Sequence, residues 1–260
     1  MTFEQTVLLS AFAGLTIYLG LPVGRLRNLS TRTQAILTTA AAGVILFLIW
    51  DILAQAVEPV EESLTAATSG EGPTSDFFLN VIAFGGSIAV GLLSLVWLTG
   101  AMRARRVEGV STHDIALGTA IGLGLHNFSE GLAIGQSAVT GATTFALMLA
   151  IGFALHNATE GFGIAAPLTT GTRPTWAFLG LLGLIGGGPT FVGGVIGYSF
   201  TSPLLSIVFL GLAAGALIFV FNEMMATSRK FAQPAAANVA LLVGLLVAFG
   251  TDFLLVAVGA

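Results

Sequence analysis

Three residue types with metal-binding chemistry recur at one spacing inside an otherwise apolar stretch. Leu125-His126-Asn127-Phe128-Ser129-Glu130-Gly131 is nearly repeated 30 residues later as Leu155-His156-Asn157-Ala158-Thr159-Glu160-Gly161. A helix turns once every ~3.6 residues, so His126 and Glu130 share a face with Asn127 beside them, and His156, Asn157 and Glu160 do the same. Imidazole nitrogens, amide oxygens and carboxylates suit divalent transition metals such as Zn²⁺, Fe²⁺, Mn²⁺, Co²⁺ or Cd²⁺. The pattern predicts a metal site built by two neighbouring helices.

Those helices must cross a membrane. Of the 260 residues, 55% are hydrophobic and only 8% charged, against about a quarter charged in soluble domains. Neither the dyad alternation of a membrane barrel nor a cysteine is present, so thiolate sites and disulfides are excluded. The fold class is all-α, a polytopic bundle in a single domain over 1–260. A helix needs ~20 mostly apolar residues to span the hydrocarbon. Eight runs qualify, at about 6–24, 34–57, 77–100, 113–140, 143–168, 174–198, 203–226 and 237–258. The amino terminus lacks the positive region of a cleavable signal, and the first run reads as a retained span.

All nine basic residues fall in alternate connections: Arg25, Arg27 and Arg32; Arg103, Arg105 and Arg106; Arg173; Arg229 and Lys230. The positive-inside rule places these connections in the cytoplasm and both termini outside. The same clusters have a second reading, as contacts for anionic lipid or a partner. The localisation expected is the cell membrane, multi-pass. The lipid bilayer and divalent metal ions are the expected partners, a homodimer is a further expectation, and no nucleic acid is expected.

His126, Asn127 and Glu130 fall near the middle of span four, and the second set falls near the middle of antiparallel span five. An unpaired ionised side chain at that depth costs several kcal/mol. Two carboxylates there repel each other unless a proton or a cation joins them. Competition between metal and protons for one site follows. Ser129 and Thr159 read as polar glue between helices.

Other polar residues mark a possible path. Asp51, Gln55 and Glu58 lie on one face near the outer end of span two, although Glu58, before Pro59, also reads as a helix end in water. The connection 58–76 is acidic and rich in Gly, Ser and Thr, and reads as a cation-attracting or merely solvated linker. His113 and Asp114 open span four, where Ser111, Thr112 and Asp114 also suit a helix cap. Asn222 and Glu223 lie near the cytoplasmic end of span seven. Gly186-Gly187-Gly188-Pro189 in span six reads either as an unwound break exposing carbonyls or as a packed kink.

The paired His-Asn-x-x-Glu-Gly motifs resemble those of the ZIP (Zrt/Irt-like) metal transporters, in their prokaryotic GufA-like branch. The resemblance implies eight spans, external termini, a metal pathway lined by spans four and five, and import of divalent ions, zinc foremost, into the cytoplasm. It carries His126, Asn127, Glu130, His156, Asn157 and Glu160 over as ligands, and Glu223 less closely. The chain departs from the family pattern in having Ser129 and Thr159 where a proline usually precedes the motif Glu. Gly188 precedes Pro189, where many members place a Glu that completes a two-metal centre. Two alternatives stand beside transport: a zinc-dependent intramembrane hydrolase, against which the lack of H-E-x-x-H speaks, and a metal-binding sensor that does not transport. The expectation is a transporter and not an enzyme.

Overall fold

The computed structural model describes residues 1–27, 29–105, 111–139, 141, 143–170, 172–199, 202–229 and 233–257; within these, the side chains of 98, 99, 101–105, 145, 156, 227 and 254–256 are left undescribed. Eight α-helices are present among them, and no strand. They are α1 (Phe3–Leu15), α2 (Thr31–Ser69), α3 (Thr74–Arg105), α4 (Thr112–Val139), α5 (Thr143–Ala165), α6 (Trp176–Gly197), α7 (Pro203–Ser228) and α8 (Pro234–Ala257). Tight 3-10 turns prolong α1 to Arg25 and α5 to Thr170. Six segments, 3–25, 31–69, 74–97, 176–197, 203–226 and 234–253, are both long and apolar enough to cross a membrane. α4 and α5, at 28 and 23 residues, have the length. In α4, His126, Asn127 and Glu130 dilute the apolar content.

Local chemistry sets the helix ends. Thr2 and Gln5 form a reciprocal capping box at α1, Ser30 accepts from the Thr33 amide at α2, and Thr175 accepts from the Phe178 amide at α6. α2 stops at Gly70, whose φ of 77° is the left-handed conformation that favours glycine.

One expectation needs correction, and one open choice is decided. Glu58 is no helix end, and 58–76 is mostly not a linker: α2 runs through Pro59 to Ser69, which leaves only 70–73 as connection. Good helix formers follow Pro59 and Val60 is buried, so packing outweighs the hydrogen bond the proline removes. Of the two readings of Gly186–Pro189, the unwound break falls: the helix is continuous from Trp176 to Gly197 and the glycines pack against neighbouring helices.

Glycines bring helix backbones into contact. A side chain at Gly131 of α4 would collide with the Thr190 carbonyl of α6, and one at Gly193 of α6 with the Phe128 carbonyl of α4. Gly14 and Gly187 make the reciprocal contact between α1 and α6, Gly91 and Gly215 between α3 and α7, and Gly43 and Gly244 between α2 and α8. Lipid supplies no hydrophobic drive between helices, so dispersion across such close approaches holds the bundle together. α4 packs against α6, α7 and α5 at the centre. Phe47, Ile52, Leu123, Ile164 and Leu182 fill the space around it with no exposure. Arg25 donates to the Pro174 carbonyl at one end of the bundle, and the Met1 amino group donates to the Ala138 carbonyl at the other.

Candidate metal centre

The centre grows out of the α4 face. His126 Nε2 lies 3.4 Å from Glu130 Oε1, one helical turn on. From α5, Glu160 completes a group in which one ligand atom from each residue lies within 4.8 Å of the others. All three are buried, with Glu160 at 0% exposure. Two ligands bonded at ~2.0–2.1 Å to one tetrahedral ion sit roughly 3.4 Å apart, so the His126–Glu130 separation already matches a coordination edge.

Asn127 ties three helices together. Its Nδ2 donates to Glu160 Oε2 at 2.8 Å and to the Gly186 carbonyl of α6 at 3.0 Å. Both amide N–H groups are therefore committed. Its carbonyl Oδ1 is buried with no hydrogen-bond partner among the described residues, as is Glu130 Oε2. Leaving such acceptors dry is costly. An imidazole, carboxylates and an amide carbonyl together make a donor set for a divalent transition metal. α6 comes near enough for its Gly186 carbonyl to hold Asn127 because Gly124, Gly131 and Gly135 put no side chain between α4 and α6.

The second motif is arranged differently. Asn157 is fully buried and its Oδ1 likewise has no hydrogen-bond partner among the described residues, but its Nδ2 donates to the Ala13 carbonyl of α1 at 2.9 Å. The His156 side chain lies outside the described residues. The structure thus brings His126, Asn127, Glu130 and Glu160 together and turns the Asn157 amide nitrogen toward α1.

The path residues fall apart in space. Asp51 on α2 is half-buried and accepts from Gln55 at 2.8 Å, and its charge acts on His126, Glu130 and Glu160. Glu58 is exposed two turns further out. Asp114 engages Ser111 in a cap, its carboxylate accepting from the Ser111 hydroxyl at 2.7 Å and from its amide at 3.1 Å. His113 stacks on Phe178 at a ring separation of 4.9 Å. Both lie about 20 Å along α4 from His126, by helical rise. Asn222 is exposed and Glu223 half-buried near the end of α7. Sequence reasoning raised exposed carbonyls at Gly186–Pro189 only by way of an unwound helix, and it missed the Ala13 carbonyl. Backbone acceptors carry no residue signature, though the glycines at 124, 131 and 135 signal that a neighbour's backbone comes close.

Fold and centre together define a multi-pass helical membrane protein with a buried cluster of metal-binding side-chain types. The family profile described as ZIP zinc transporter matches residues 98–252, more than half of the 260, and the chain belongs to that family. It is accordingly a transporter of divalent metal cations rather than an enzyme. The match takes in both motifs and leaves Asp51, Gln55 and Glu58 outside it. No curated protein matches the chain.

Proposed function

We propose that the protein carries zinc into the cytoplasm through a site made by His126, Glu130 and Glu160, with Asn127 Oδ1 as a fourth donor and His156 and Asn157 beside it. The convergence of the three ligand groups within 4.8 Å, buried between α4 and α5, supports this reading above all. Two carboxylates at the bundle centre carry two negative charges, which one divalent ion neutralises; a second would restore an uncompensated buried charge. The site thus handles one ion at a time. Exchangeable carboxylate and imidazole ligands favour passage over storage, and Fe²⁺, Mn²⁺, Co²⁺ and Cd²⁺ are competing cargo.

The remaining expectations complete the proposal. All eight helices cross a cell membrane as a single transporter domain, with both termini outside and the arginine-bearing connections in the cytoplasm. An ion approaches past Asp51 and leaves past Glu223. Zinc uptake into liposomes holding the purified protein tests the assignment. Flux should disappear in Glu130→Ala/Glu160→Ala, and undiminished flux in that double variant refutes it.

A further inference from the structure

Three arginines converge at the end of the bundle opposite Met1. Arg25 closes the first membrane segment, Arg27 follows it, and Arg173 lies between α5 and α6. The side-chain charges acting on Arg25 are those of Arg173 and Arg27, both of like sign. The sequence has no acidic residue between Glu4 and Asp51, nor between Glu160 and Glu223. The Arg25 guanidinium lies 4.4 Å over the exposed ring of Trp176. Some of its hydrogen-bonding capacity goes to the Pro174 carbonyl, and Arg27 donates from Nη1 to the Leu26 carbonyl at 2.9 Å. Arg25 Nε and Arg27 Nη2 are nevertheless buried atoms with no hydrogen-bond partner among the described residues. Mutually repelling guanidiniums with dry N–H groups call for an anionic acceptor, and phosphate oxygens match their fork geometry. Orientation signalling requires only that the charges be present, not that they converge.

A second observation joins this one. α1 and α6 leave an apolar groove of about 450 Å³ on the outer surface of the bundle. Gly183, Gly187 and Gly188 line it, with Leu15, Tyr18 and Phe191. Leu15 and Phe191 are themselves exposed. Tyr18 closes the near side, donating to the Gly180 carbonyl at 2.9 Å. Along α6 the groove begins about 10 Å from Trp176 and continues for roughly another 14 Å. That matches the ~15 Å acyl layer of one leaflet. Exposed tryptophan belongs at the headgroup level.

We propose that these features form a binding site for one anionic phospholipid. Its phosphate accepts hydrogen bonds from Arg25 and Arg27, Arg173 adds attraction, and an acyl chain lies along the groove between α1 and α6. The groove lies on the outer side of α1 and α6, whose Ala13 and Gly186 carbonyls hold the motif asparagines, and the proposal does not depend on the transport reading.

Native mass spectrometry of the detergent-solubilised full chain, loaded with phosphatidylglycerol or phosphatidylcholine, tests this. Phosphatidylglycerol should be retained preferentially, and Arg25→Gln/Arg173→Gln should weaken its retention roughly thirtyfold. Arg25→Lys/Arg173→Lys, which keeps both charges, should hold the preference within a few-fold and so separates charge from misfolding. Gly188→Phe, which fills the groove, should weaken both lipids and leave the preference intact. Equal retention of the two lipids overturns the site, and so does a preference that survives loss of both arginines. Full displacement by excess inorganic phosphate, with Gly188→Phe silent, shows a free-anion site and overturns the lipid.

Discussion

The two His-Asn-x-x-Glu-Gly motifs are nearly the same in sequence and different in employment. In α4, Asn127 holds the carboxylate of the other motif and the α6 backbone at once through its amide nitrogen, while the carbonyl oxygens of both asparagines are buried without a hydrogen-bond partner among the described residues. In α5, Asn157 instead anchors the helix to α1 through the Ala13 carbonyl. Among the described side chains, Glu130 lies against the histidine of its own helix, and Glu160 accepts from Asn127 of α4. A motif therefore specifies which groups face inward, and the neighbouring backbone decides what each one does there. Among the described side chains, α4 contributes His126, Asn127 and Glu130 to the buried cluster, and α5 contributes Glu160.

Removing what the copies share should have the largest effect. Glu130→Ala/Glu160→Ala deletes both charges, and zinc flux into liposomes should fall to background. Gly131→Leu attacks α4 itself. Its side chain meets the Thr190 carbonyl of α6, so α4 and α6 must part, costing about 1–3 kcal/mol or more. A lowered melting temperature in detergent, with loss of flux, is the expected readout.

The sharpest test sets the asparagines side by side. Asn127→Ala frees Glu160 from its partner and removes a donor oxygen, so zinc affinity measured by calorimetry should drop by roughly 10–100-fold, as for other groups that orient metal ligands. Asn157→Ala should cost about 1 kcal/mol of stability and change affinity only a few-fold. Equal losses of affinity for the two variants would remove the distinction drawn between the motifs. Smallest of all is Asp51→Asn. It should lower uptake a few-fold at low ionic strength and be silent at high salt, because a half-exposed charge acts through a screened field.

Much of this centre was legible in the chain. The i, i+4 spacing placed His126 and Glu130 on one face, and the repeat pointed to Glu160 as their partner across the helix pair. The division of labour between Asn127 and Asn157 was not legible. It depends on whether the Gly186 or the Ala13 carbonyl stands opposite, and backbone atoms leave no trace in residue identity. The expected end of α2 failed for a related reason. Pro59 and the five acids of 58–76 resemble a linker locally, while the buried Val60 and the stop at Gly70 act through packing and backbone geometry. The α6 run Gly186-Gly187-Gly188-Pro189 reads as weakness only until α1 and α4 press against it.

The length of α2 has a practical side. Past Pro59 it continues as a stiff rod for roughly 15 Å, carrying Glu61 and Glu62 on its exposed surface. A 26.6 kDa chain wrapped in detergent offers electron microscopy few landmarks to align on. A helical fusion spliced in register at the Ser69 end would project rigidly from the particle and supply one.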